Sequence, residues 1–514
     1  MVRQIVFFML LLPIVANAAT VKIGGIWYSL GDGYTAIVVC PEGDESYSGD
    51  IVIPDNIGIP GDTEQYRVTK IEQYAFENCE NLVSVVIPNS VKTLGEGVFR
   101  NCKCLKKVTI GNGLCSVNYE TFHNCSSLDS VVFGENISFI DGLSFCDCSS
   151  LTSITLPEGL VSIGESAFSG CSKLTNVTIP NNVTTIGYGA FSGCQSLLDI
   201  SIPNSVTTIG EGAFYCCSSL TSVAVPNSLT NMGSGIFREC TGLTSISIDS
   251  ADTGVWTFFG CSGLRSVKFG SNVQRIGEGS FQNCTDLVSL SFTDGIKSIG
   301  SGAFQNCKSL QSVLIPDNVT EIGDFAFKGC SSLLSASIGN GITHIGDAFP
   351  YCDELHTVTF GNAITRIYSF CFFKSPKLTD VYCYAVEPPF ITPAEDAFIY
   401  ANCHNGTLYV PESSIEAYRT EKAWNQFGNI VGLSHIGIQN VLADNQNVKY
   451  SYQDGFLTIC TQSGEIPVSI FDINGQQLAS FTVSTDETHI AVSNVNSDAV
   501  ILKMGNKSVK VIIR

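Results

Sequence analysis

Residues 183–205 read VTTIGYGAFSGCQSLLDISIPNS, and residues 206–228 read VTTIGEGAFYCCSSLTSVAVPNS. The same sequence pattern recurs along the chain and contains the motif Phe-x-x-Cys-x-x-Leu. The steps between copies are 23 residues, except for one of 21 before Phe258 and one of 22 before Phe349. A fixed period of this length predicts stacked structural repeats. The phenylalanines that mark the copies are Phe76, Phe99, Phe122, Phe145, Phe168, Phe191, Phe214, Phe237, Phe258, Phe281, Phe304, Phe327, Phe349 and Phe372.

Alternation within each copy predicts a β-strand. In one copy Val177 and Ile179 are apolar whereas Asn176 and Thr178 are polar, which is the period-2 pattern of a strand with one buried face. Pro180 ends this strand. Apolar residues then follow at spacings of three and four, which favours a short helical or 3₁₀ turn. These residues are Ala190, Phe191, Cys194 and Leu197.

A single copy cannot bury its apolar side, so each coil is stable only when it stacks on its neighbours. The period and the Leu-x-x-Leu-x-Leu core fall in the range of leucine-rich repeats. We therefore expect a repeat solenoid, a curved leucine-rich-repeat rod with one β-strand per repeat on its concave face. The array covers 71–383, about 14 units of 23 residues. With strands about 4.8 Å apart, the rod is on the order of 65 Å long.

The consensus Leu-x-x-Val-x-Ile-Pro-x-x-Val-x-x-Ile-Gly-x-x-Ala-Phe-x-x-Cys-x-x, repeated over 71–383, closely resembles the BspA-like leucine-rich repeats of bacterial surface proteins. That family is associated with attachment to host proteins and to other cells. The resemblance therefore implies an adhesive surface protein of Bacteroidetes that binds macromolecules.

The composition excludes several partners. Of the 514 residues, 14% are charged, and the 47 acidic against 27 basic residues give a formal net charge of -20. Nucleic acid and anionic membrane surfaces are poor partners for such a field. Beyond the N-terminus no run of uncharged apolar residues is long enough to span a bilayer, so we expect no transmembrane segment in the mature protein.

The first residues, MVRQIVFFMLLLPIVANA, have the features of a secretory signal peptide covering 1–18. Arg3 precedes an apolar run over 5–15, and a small-x-small pattern ends at Ala18. We expect cleavage between Ala18 and Ala19. The mature protein is therefore expected to be secreted or displayed on the exterior of the outer membrane.

Thirteen of the 22 cysteines, from Cys79 to Cys352, occupy one position of the repeat, and Ser375 takes it in the last copy. One interpretation is a metal or redox ladder, and the other is a small buried hydrophobe. We favour buried, reduced thiols because stacked side chains about 4.8 Å apart point the same way. A disulfide needs Cβ atoms about 3.8 Å apart that face each other.

The remaining cysteines show no metal-binding pattern. Cys102 with Cys104, and Cys146 with Cys148, lack the second pair and the wider spacing of a zinc site, so each is interpreted as one ladder cysteine and a neighbour. An occasional disulfide among the off-ladder cysteines is compatible with an oxidising compartment. They include Cys40, Cys115, Cys383, Cys403 and Cys460.

The six histidines are scattered, and no nucleophile, zinc-protease or phosphate-binding motif occurs. His344 and His356 lie in adjacent copies, and we interpret their proximity as incidental. We therefore expect no enzyme activity, no metal and no cofactor.

The outward strand positions are the first candidate binding surface. They form two rows of mostly Ser and Thr, which suit hydrogen bonds to an extended ligand and equally suit a solvated face. Aromatic and arginine anchors, which dominate interface energies, are few there. The candidates on this face are Asn176, Thr178, Asp199, Ser201, Lys268 and Tyr382.

The second candidate is the shortened copy, SIDSADTGVWTFFGC, which lacks the Ile-Gly corner and gains Trp256 with Asp249 and Asp252 nearby. One interpretation is a binding hot spot that includes Asp252 and Trp256. The other, which we favour, is that Trp256 fills the volume left by the missing apolar corner.

Both ends of the array carry caps. Residues 19–70 alternate like short strands with Gly-Asp turns and predict a β-rich N-terminal cap. Residues 384–437 predict a C-terminal cap with a helix that begins near Ser413 or Ser414. We expect Tyr418, Trp424 and Phe427 to cover the last coil; a ligand cage is the alternative.

Residues 438–514 predict a small all-β, sandwich-like domain. IPVSIFDINGQQLASFTV is a hairpin with a turn at Asn474-Gly475, and AVILKMGNKSVKVIIR is a second hairpin. This tail resembles the C-terminal sorting domain of the type IX secretion system of Bacteroidetes. The usual penultimate Gly-Val-Tyr-like motif is replaced by Asp498-Ala499-Val500-Ile501.

The sequence favours an exported leucine-rich-repeat protein that mediates adhesion or protein–protein interaction with host or neighbouring-cell macromolecules. The alternative is a surface glycan-binding component of a nutrient-uptake system. The expected partners are an extracellular protein or glycan and, through the tail, the secretion machinery. A glycan site predicts an exposed aromatic platform, whereas protein attachment predicts contacts over many coils.

Overall fold

The structure is a computed structural model that describes residues 20–43, 45–368, 370–392, 398 and 401–433, together with the strands between 448 and 512. The expected signal cleavage site at Ala18 and Ala19 lies outside these residues. The chain divides into two compact units between Leu174 and Thr175, and each is described by itself.

In the first unit, the repeats contribute two kinds of strand, both stacked in parallel. Equivalent residues pair one repeat apart, as Val85 does with Val108. The strands of the Leu-x-x-Val-x-Ile segment are Gly49–Val52, Leu82–Ile87, Lys107–Ile110, Ser130–Val132 and Ser153–Ile154. The strands before the Ile-Gly corner are Gln65–Ile71, Thr93–Leu94, Ser116–Val117, Phe139–Ile140 and Ser162–Ile163.

The N-terminal part of this unit is β-rich. Thr20–Ile23, Ile26–Gly31 and Thr35–Val38 form an antiparallel meander. Thr35–Val38 then pairs in parallel with Gln65–Ile71, which also pairs with Asn56–Gly58. The first segments therefore join the same sheet as the repeats.

The second unit repeats both kinds of strand. The strands of the first kind, in or after the Leu-x-x-Val-x-Ile segments, are Asn176–Val177, Ser222–Val225, Ser245–Ile248, Ser266–Phe269, Ser312–Ile315, Ser335–Ile338, Thr357–Phe360, Asp380–Cys383, Thr407–Val410 and Asn429–Gly432. The strands of the second kind, at or beyond the Ile-Gly corners, are Thr185–Ile186, Thr208–Ile209, Asn231–Met232, Arg275–Ile276, Ser298–Ile299, Glu321–Ile322, His344–Ile345, Arg366–Tyr368 and Phe390–Thr392.

The solenoid expected from the sequence is confirmed, with one addition and one correction. Besides the expected strand, repeats carry a second, short strand at the Ile-Gly corner, such as Thr185–Ile186. A helical or 3₁₀ turn was expected after it, whereas the segment forms consecutive turns. Cys194 N donates to Phe191 O at 3.2 Å within the coil, but Phe191 N donates to Ala213 O of the next coil at 2.7 Å. Because donors alternate between the two coils, no continuous helix forms.

The core of each unit is a column of phenylalanine rings with a column of thiols beside it. In the first unit Phe99 stacks on Phe122 with centroids 5.3 Å apart and planes 2° apart. The ladder thiols donate to phenylalanine carbonyls, as Cys125 Sγ does to Phe99 O at 3.1 Å. In the last copy Ser375 Oγ makes the equivalent contact with Phe349 O at 3.5 Å, which explains why serine can replace cysteine there.

The second unit continues beyond residue 383. The parallel ladder from Ser312–Ile315 extends through Thr407–Val410 and Asn429–Gly432. The 3₁₀ turn Cys403–Asn405 precedes Thr407–Val410, and the 3₁₀ turn Glu412–Ser414 and the α-helix Ile415–Thr420 lie between Thr407–Val410 and Asn429–Gly432. Tyr418 and Trp424 are fully buried, which identifies them as core residues and not as a ligand cage.

The C-terminal module contains two antiparallel sheets among its described residues. The first is formed by Val448–Gln453, Phe456–Thr461 and Thr488–Ala491. The second is formed by Gln477–Val483, Ile466–Asp472, Ala499–Met504 and Lys507–Ile512. Both expected hairpins are present, as the pairs Ile466–Asp472 with Gln477–Val483 and Ala499–Met504 with Lys507–Ile512. The turn at Asn474-Gly475 and residue Asp498 lie outside the described residues, whereas Ala499, Val500 and Ile501 begin the strand Ala499–Met504.

Candidate functional site

The sheet-face candidates lie where alternation places them, with outward side chains. Asn176, Thr178, Asp199 and Ser201 are all exposed, while Val177 between the first two is buried. Only Asn176 belongs to an assigned strand, Asn176–Val177. These four residues therefore form a small polar patch on two consecutive repeats.

Lys268 and Tyr382 lie elsewhere on the same kind of surface. Lys268 is exposed and pairs in register with Ser247. Tyr382 is half-buried, and its ring stacks on Tyr409 with centroids 4.3 Å apart and planes 7° apart. Burial, the Tyr409 hydroxyl and the Asp380 carboxylate raise the pKa of the Tyr382 hydroxyl. Tyr382 therefore belongs to a sheet-face aromatic pair distant in sequence from the polar patch.

Asp252 forms hydrogen bonds that stabilise the shortened repeat. Its carboxylate accepts a hydrogen bond from Arg275 Nε at 2.6 Å and one from Gly254 N at 2.8 Å. Asp252 and Arg275 also form an isolated parallel bridge. Asp249 likewise accepts from Asn272 Nδ2 at 3.0 Å. Because both carboxylates hold the shortened copy to the next one, their positions are explained by stacking.

Thr253 maintains the hydrogen bonding between coils in the shortened repeat, which lacks the Ile-Gly corner. In regular copies the corner glycine N–H donates to the isoleucine carbonyl of the previous coil, as Gly300 N does to Ile276 O at 2.7 Å. In the shortened copy Gly277 N donates instead to Thr253 Oγ1 at 2.9 Å. The buried hydroxyl of Thr253 thus replaces a backbone carbonyl, and the stack continues across the deletion.

Trp256 does not fill the core. We expected it to occupy the volume of the missing apolar corner, but its side chain is 42% exposed. Its indole lies across Gly279 of the next coil, where a Cβ would come within 2.3 Å of Trp256 Cδ1. Trp256 is therefore part of the outer surface formed by the turns.

The turns contain two left-handed positions, located two residues before and two residues after the repeat phenylalanine. Every repeat has positive φ at the later position, and every repeat but one has positive φ at the earlier one. Glycine and asparagine adopt this conformation most easily. Asparagines at the later position also bond along the stack, as Asn306 Nδ2 does to Asn283 Oδ1 at 2.9 Å. The sequence analysis missed these positions because many repeats place other residues there.

Bulky residues occupy the left-handed positions near the end of the array. Phe325 has φ +61°, Tyr351 +62°, Phe370 +41° and Lys374 +56°. For bulky side chains this region costs about 1–2 kcal/mol per residue. Phe325, Tyr351 and Phe370 are 42%, 39% and 43% exposed, so the cost is not offset by burial in the core.

These residues form one group, which we call the turn-face cluster: Phe325, Lys328, Tyr351, Phe370, Phe373 and Lys374. The Tyr351 and Phe373 rings meet edge to face with centroids 5.6 Å apart, and Phe370 and Phe373 do so at 5.4 Å. The Lys328 ammonium lies 4.9 Å from the Phe325 ring centroid and 5.8 Å from that of Tyr351. The Lys374 ammonium lies 5.3 Å from Tyr351, on which both lysines converge.

The turn-face cluster is positively charged in a protein of net charge -20. Within the described residues, neither Lys328 nor Lys374 forms an ion pair. Asp324 and Asp347 lie at its edge, where Asp347 N donates to Asp324 Oδ1 at 3.2 Å. Burial, and then the Asp324 carboxylate, raise the pKa of Asp347. The cluster therefore offers two cations and exposed rings on a backbone fixed by inter-coil hydrogen bonds.

A second, smaller aromatic group lies around Arg238. Its guanidinium carbon is 4.8 Å from the Phe259 ring centroid and 6.0 Å from that of Tyr215. Trp256 follows in the same turn surface. The eight sequence candidates therefore do not form a single site in the described residues, and the aromatic groups around Tyr351 and Arg238 lie on the turns.

The repeats identify the family to which this chain belongs. The family described as "BspA type Leucine rich repeat region (6 copies)" matches residues 69–180, 140–264 and 254–379, which together cover more than half of the chain. The chain belongs to the BspA-type leucine-rich-repeat family. No curated protein matches it significantly.

Solved structures similar to this BspA-type chain include bacterial leucine-rich-repeat proteins. A leucine-rich repeat protein from Bacteroides ovatus is 28% identical, with 61% of this chain and 93% of that chain covered and a TM-score of 0.42. A leucine rich cell surface protein from Faecalibacterium prausnitzii is 24% identical, with coverages of 81% and 95% and a TM-score of 0.38. The pneumococcal vaccine antigen PcpA is 18% identical, with coverages of 80% and 98% and a TM-score of 0.39.

Among the described residues, no helix combines the length and the apolar character needed to cross a bilayer.

Proposed function

We propose that this chain is an exported cell-surface protein that attaches to proteins of a host or of neighbouring cells through its turn-face cluster. One observation carries this proposal: bulky side chains occupy strained left-handed positions and remain exposed there. Strain of this kind persists where function favours it. Exposed aromatic side chains beside cations are also the residues that dominate protein interfaces.

A protein ligand fits the cluster better than a glycan. The two lysines lie over the rings of Phe325, Tyr351 and Phe373, and the neighbouring rings meet edge to face. Such rings present edges and ammonium groups, not the open flat platform expected for stacking on a sugar. The ammonium groups also favour a partner surface with carboxylates. Glycan binding remains the alternative outcome of a binding screen.

The test is a screen of the purified chain against extracellular-matrix proteins, mucins and an array of glycans. The hits are then measured with Tyr351→Ala, which removes the ring on which both lysines converge. We expect a protein ligand and a loss of affinity of at least about tenfold, as for a central interface residue. Tyr188→Ala is the matched control because Tyr188 is an exposed aromatic, 55% accessible, outside the cluster.

The two variants separate the outcomes. Equal affinity of Tyr351→Ala and the unmodified chain would place binding elsewhere, with the sheet-face residues Asn176, Thr178, Asp199 and Ser201 tested next. A glycan as the only ligand would support the alternative function, a glycan-binding component of a nutrient-uptake system.

Export is part of the proposal. The signal-peptide features of 1–18 and the resemblance of 438–514 to a type IX sorting domain support secretion followed by display outside the outer membrane. The antiparallel hairpins of the tail are compatible with such a domain. In this proposal the repeats bind the partner, and the tail is read by the secretion machinery.

A further inference from the structure

His123, Cys146 and Asp147 come together in the first unit although they belong to different repeats. His123 directly follows Phe122, and Cys146 directly follows Phe145, so the 23-residue period stacks one above the other. One ligand atom from each of the three residues lies within 4.8 Å of the other two. The sequence analysis considered Cys146 only with Cys148, whose Sγ instead donates to Phe122 O in the core at 3.2 Å.

The contacts of the histidine are too long for hydrogen bonds. His123 Nε2 lies 3.9 Å from Asp147 Oδ2, and Nδ1 lies 4.0 Å from Glu120 Oε1. The Nδ1 atom is buried and has no hydrogen-bond partner. Hydrogen bonds of this type end near 3.2 Å, so the ring sits between two carboxylates without bonding to either. The Nε2 to Oδ2 separation is about 0.5 Å longer than the roughly 3.3–3.4 Å between a nitrogen and an oxygen ligand of one tetrahedral zinc ion, so a small side-chain movement brings both atoms to one metal.

The surrounding residues hold the ligands in place. A Cβ at Gly170 would come within 2.2 Å of Asp147 Oδ1, so the glycine leaves room for this carboxylate. Arg100 Nη1 donates to Glu120 Oε2 at 2.7 Å and fixes the carboxylate that faces Nδ1. Metal-binding histidines commonly donate their other ring N–H to such a carboxylate. Cys146 is only 9% exposed, whereas Asp147 is open to solvent.

We propose that His123 Nε2, Cys146 Sγ and Asp147 form a zinc site that links two adjacent coils, with the Glu120 carboxylate becoming the acceptor for Nδ1–H when the side chains close on the metal. Imidazole, thiolate and carboxylate are all ligands that zinc accepts in tetrahedral geometry. Tetrahedral ligand atoms lie about 3.3–3.8 Å apart, so the three side chains close by at most about 1–1.5 Å on binding. The exposed side of Asp147 leaves the fourth position to water.

The test uses Co²⁺ alone as a spectroscopic probe, added to the purified full chain after chelator treatment. We expect one equivalent to give visible d–d bands and a thiolate-to-cobalt charge-transfer band, both lost when Zn²⁺ is added. Cys146→Ser should remove the charge-transfer band. Asp147→Asn, at an exposed position that folding tolerates, should weaken affinity at least about tenfold, and Glu120→Gln about 10–100-fold.

Cys104→Ser and His356→Ala are the matched controls, because Cys104 is an exposed cysteine and His356 an exposed histidine outside the cluster. Both should bind Co²⁺ as the unmodified chain does. Absence of a charge-transfer band, or its persistence in Cys146→Ser, would overturn the proposal. Weak binding that is equal in the chain and in Asp147→Asn would show an adventitious ion only. A rise in Tm with Zn²⁺ that Asp147→Asn abolishes would support the link between coils.

Discussion

Phe214 stacks on Phe237 of the next repeat with ring centroids 5.2 Å apart and planes 8° apart. Phe191 lies on its other side at 5.3 Å. All three rings are buried. In a stack of coils that bury their apolar sides only against each other, each ring thus contributes to two interfaces.

Phe214→Ala should therefore cost about 3–5 kcal/mol in the free energy of unfolding, through lost burial and an unfilled cavity. Chemical denaturation measures the loss, and hydrogen exchange locates it in the adjacent repeats because coupling is between nearest neighbours. Tyr215→Ala, at the next and 39% exposed residue, should cost less than about 1 kcal/mol. Similar losses for both variants would contradict the assignment of the phenylalanine column as the core.

The repeat phenylalanines and cysteines were predictable because burial follows directly from period and spacing. The second strand was not, since Thr185–Ile186 covers only two residues and leaves no visible alternation. The left-handed backbone positions could not be predicted for a different reason. Residues other than glycine, such as Tyr74, Glu120 and Leu143, occupy them in several repeats. The proposed binding surface follows the same division, because the turn-face cluster depends on these left-handed positions.

The exposure of Trp256 and the proposed zinc site could not be predicted from residues that are neighbours in the sequence. Trp256 is exposed at a left-handed turn position, and in the same repeat Thr253 Oγ1 accepts from Gly277 N in place of a backbone carbonyl, which no motif signals. His123 and Cys146 are distant in sequence, and only stacking makes them neighbours. A comparison of equivalent positions in consecutive repeats, instead of neighbouring residues, is the signal that finds such pairs.

The buried thiols make stability depend on pH. Burial raises the pKa of Cys125 and of Cys330 to about 12, whereas an unfolded thiol has a pKa of about 8.5. The folded state thus keeps a proton that the unfolded state loses, so this stability is present below pH about 8.5 and falls as pH rises toward about 12. Each of these two thiols should lower the unfolding free energy by up to about 1.4 kcal/mol per pH unit in this window.

The measurement is urea unfolding at several alkaline pH values. Cys330→Ser should fall less steeply with pH, by the contribution of one thiol, because serine does not titrate there. Cys104→Ser, at an exposed site, should keep the slope of the unmodified chain. Parallel slopes for Cys330→Ser and the unmodified chain would show that the Cys330 thiol titrates alike in both states.

Truncation of Phe325 and truncation of Phe327 should differ strongly in their effect on the free energy of unfolding. Phe325→Gly relieves strain at φ +61° and loses only exposed contacts, so the unfolding free energy should change by less than about 1 kcal/mol. Phe327→Ala removes a buried ring stacked between Phe304 and Phe349 and should cost about 3–5 kcal/mol. The same Phe325→Gly protein should nevertheless bind its ligand more weakly. Strong destabilisation by Phe325→Gly would assign it a structural role.

The C-terminal module should be needed for display but not for folding. The array ends with Asn429–Gly432, and the buried Tyr418 and Trp424 complete its core, with Trp424 Nε1 donating to Pro389 O at 2.9 Å. Deleting 438–514 should therefore leave the melting temperature of the repeats and their ligand affinity unchanged, since these contacts all precede the deletion. Circular dichroism and binding measurements on the truncated chain check both quantities.

In the native host, the same truncated protein should accumulate inside the cell envelope, because the sorting signal that the tail resembles is gone. Protease accessibility of intact cells measures the displayed fraction. A second truncation at residue 384 is the control, since it also removes Tyr418 and Trp424 and should destabilise the last repeats. If the chain lacking 438–514 is displayed at normal levels, the tail is not the sorting signal. A loss of ligand affinity on the same deletion would instead make the tail part of the binding surface.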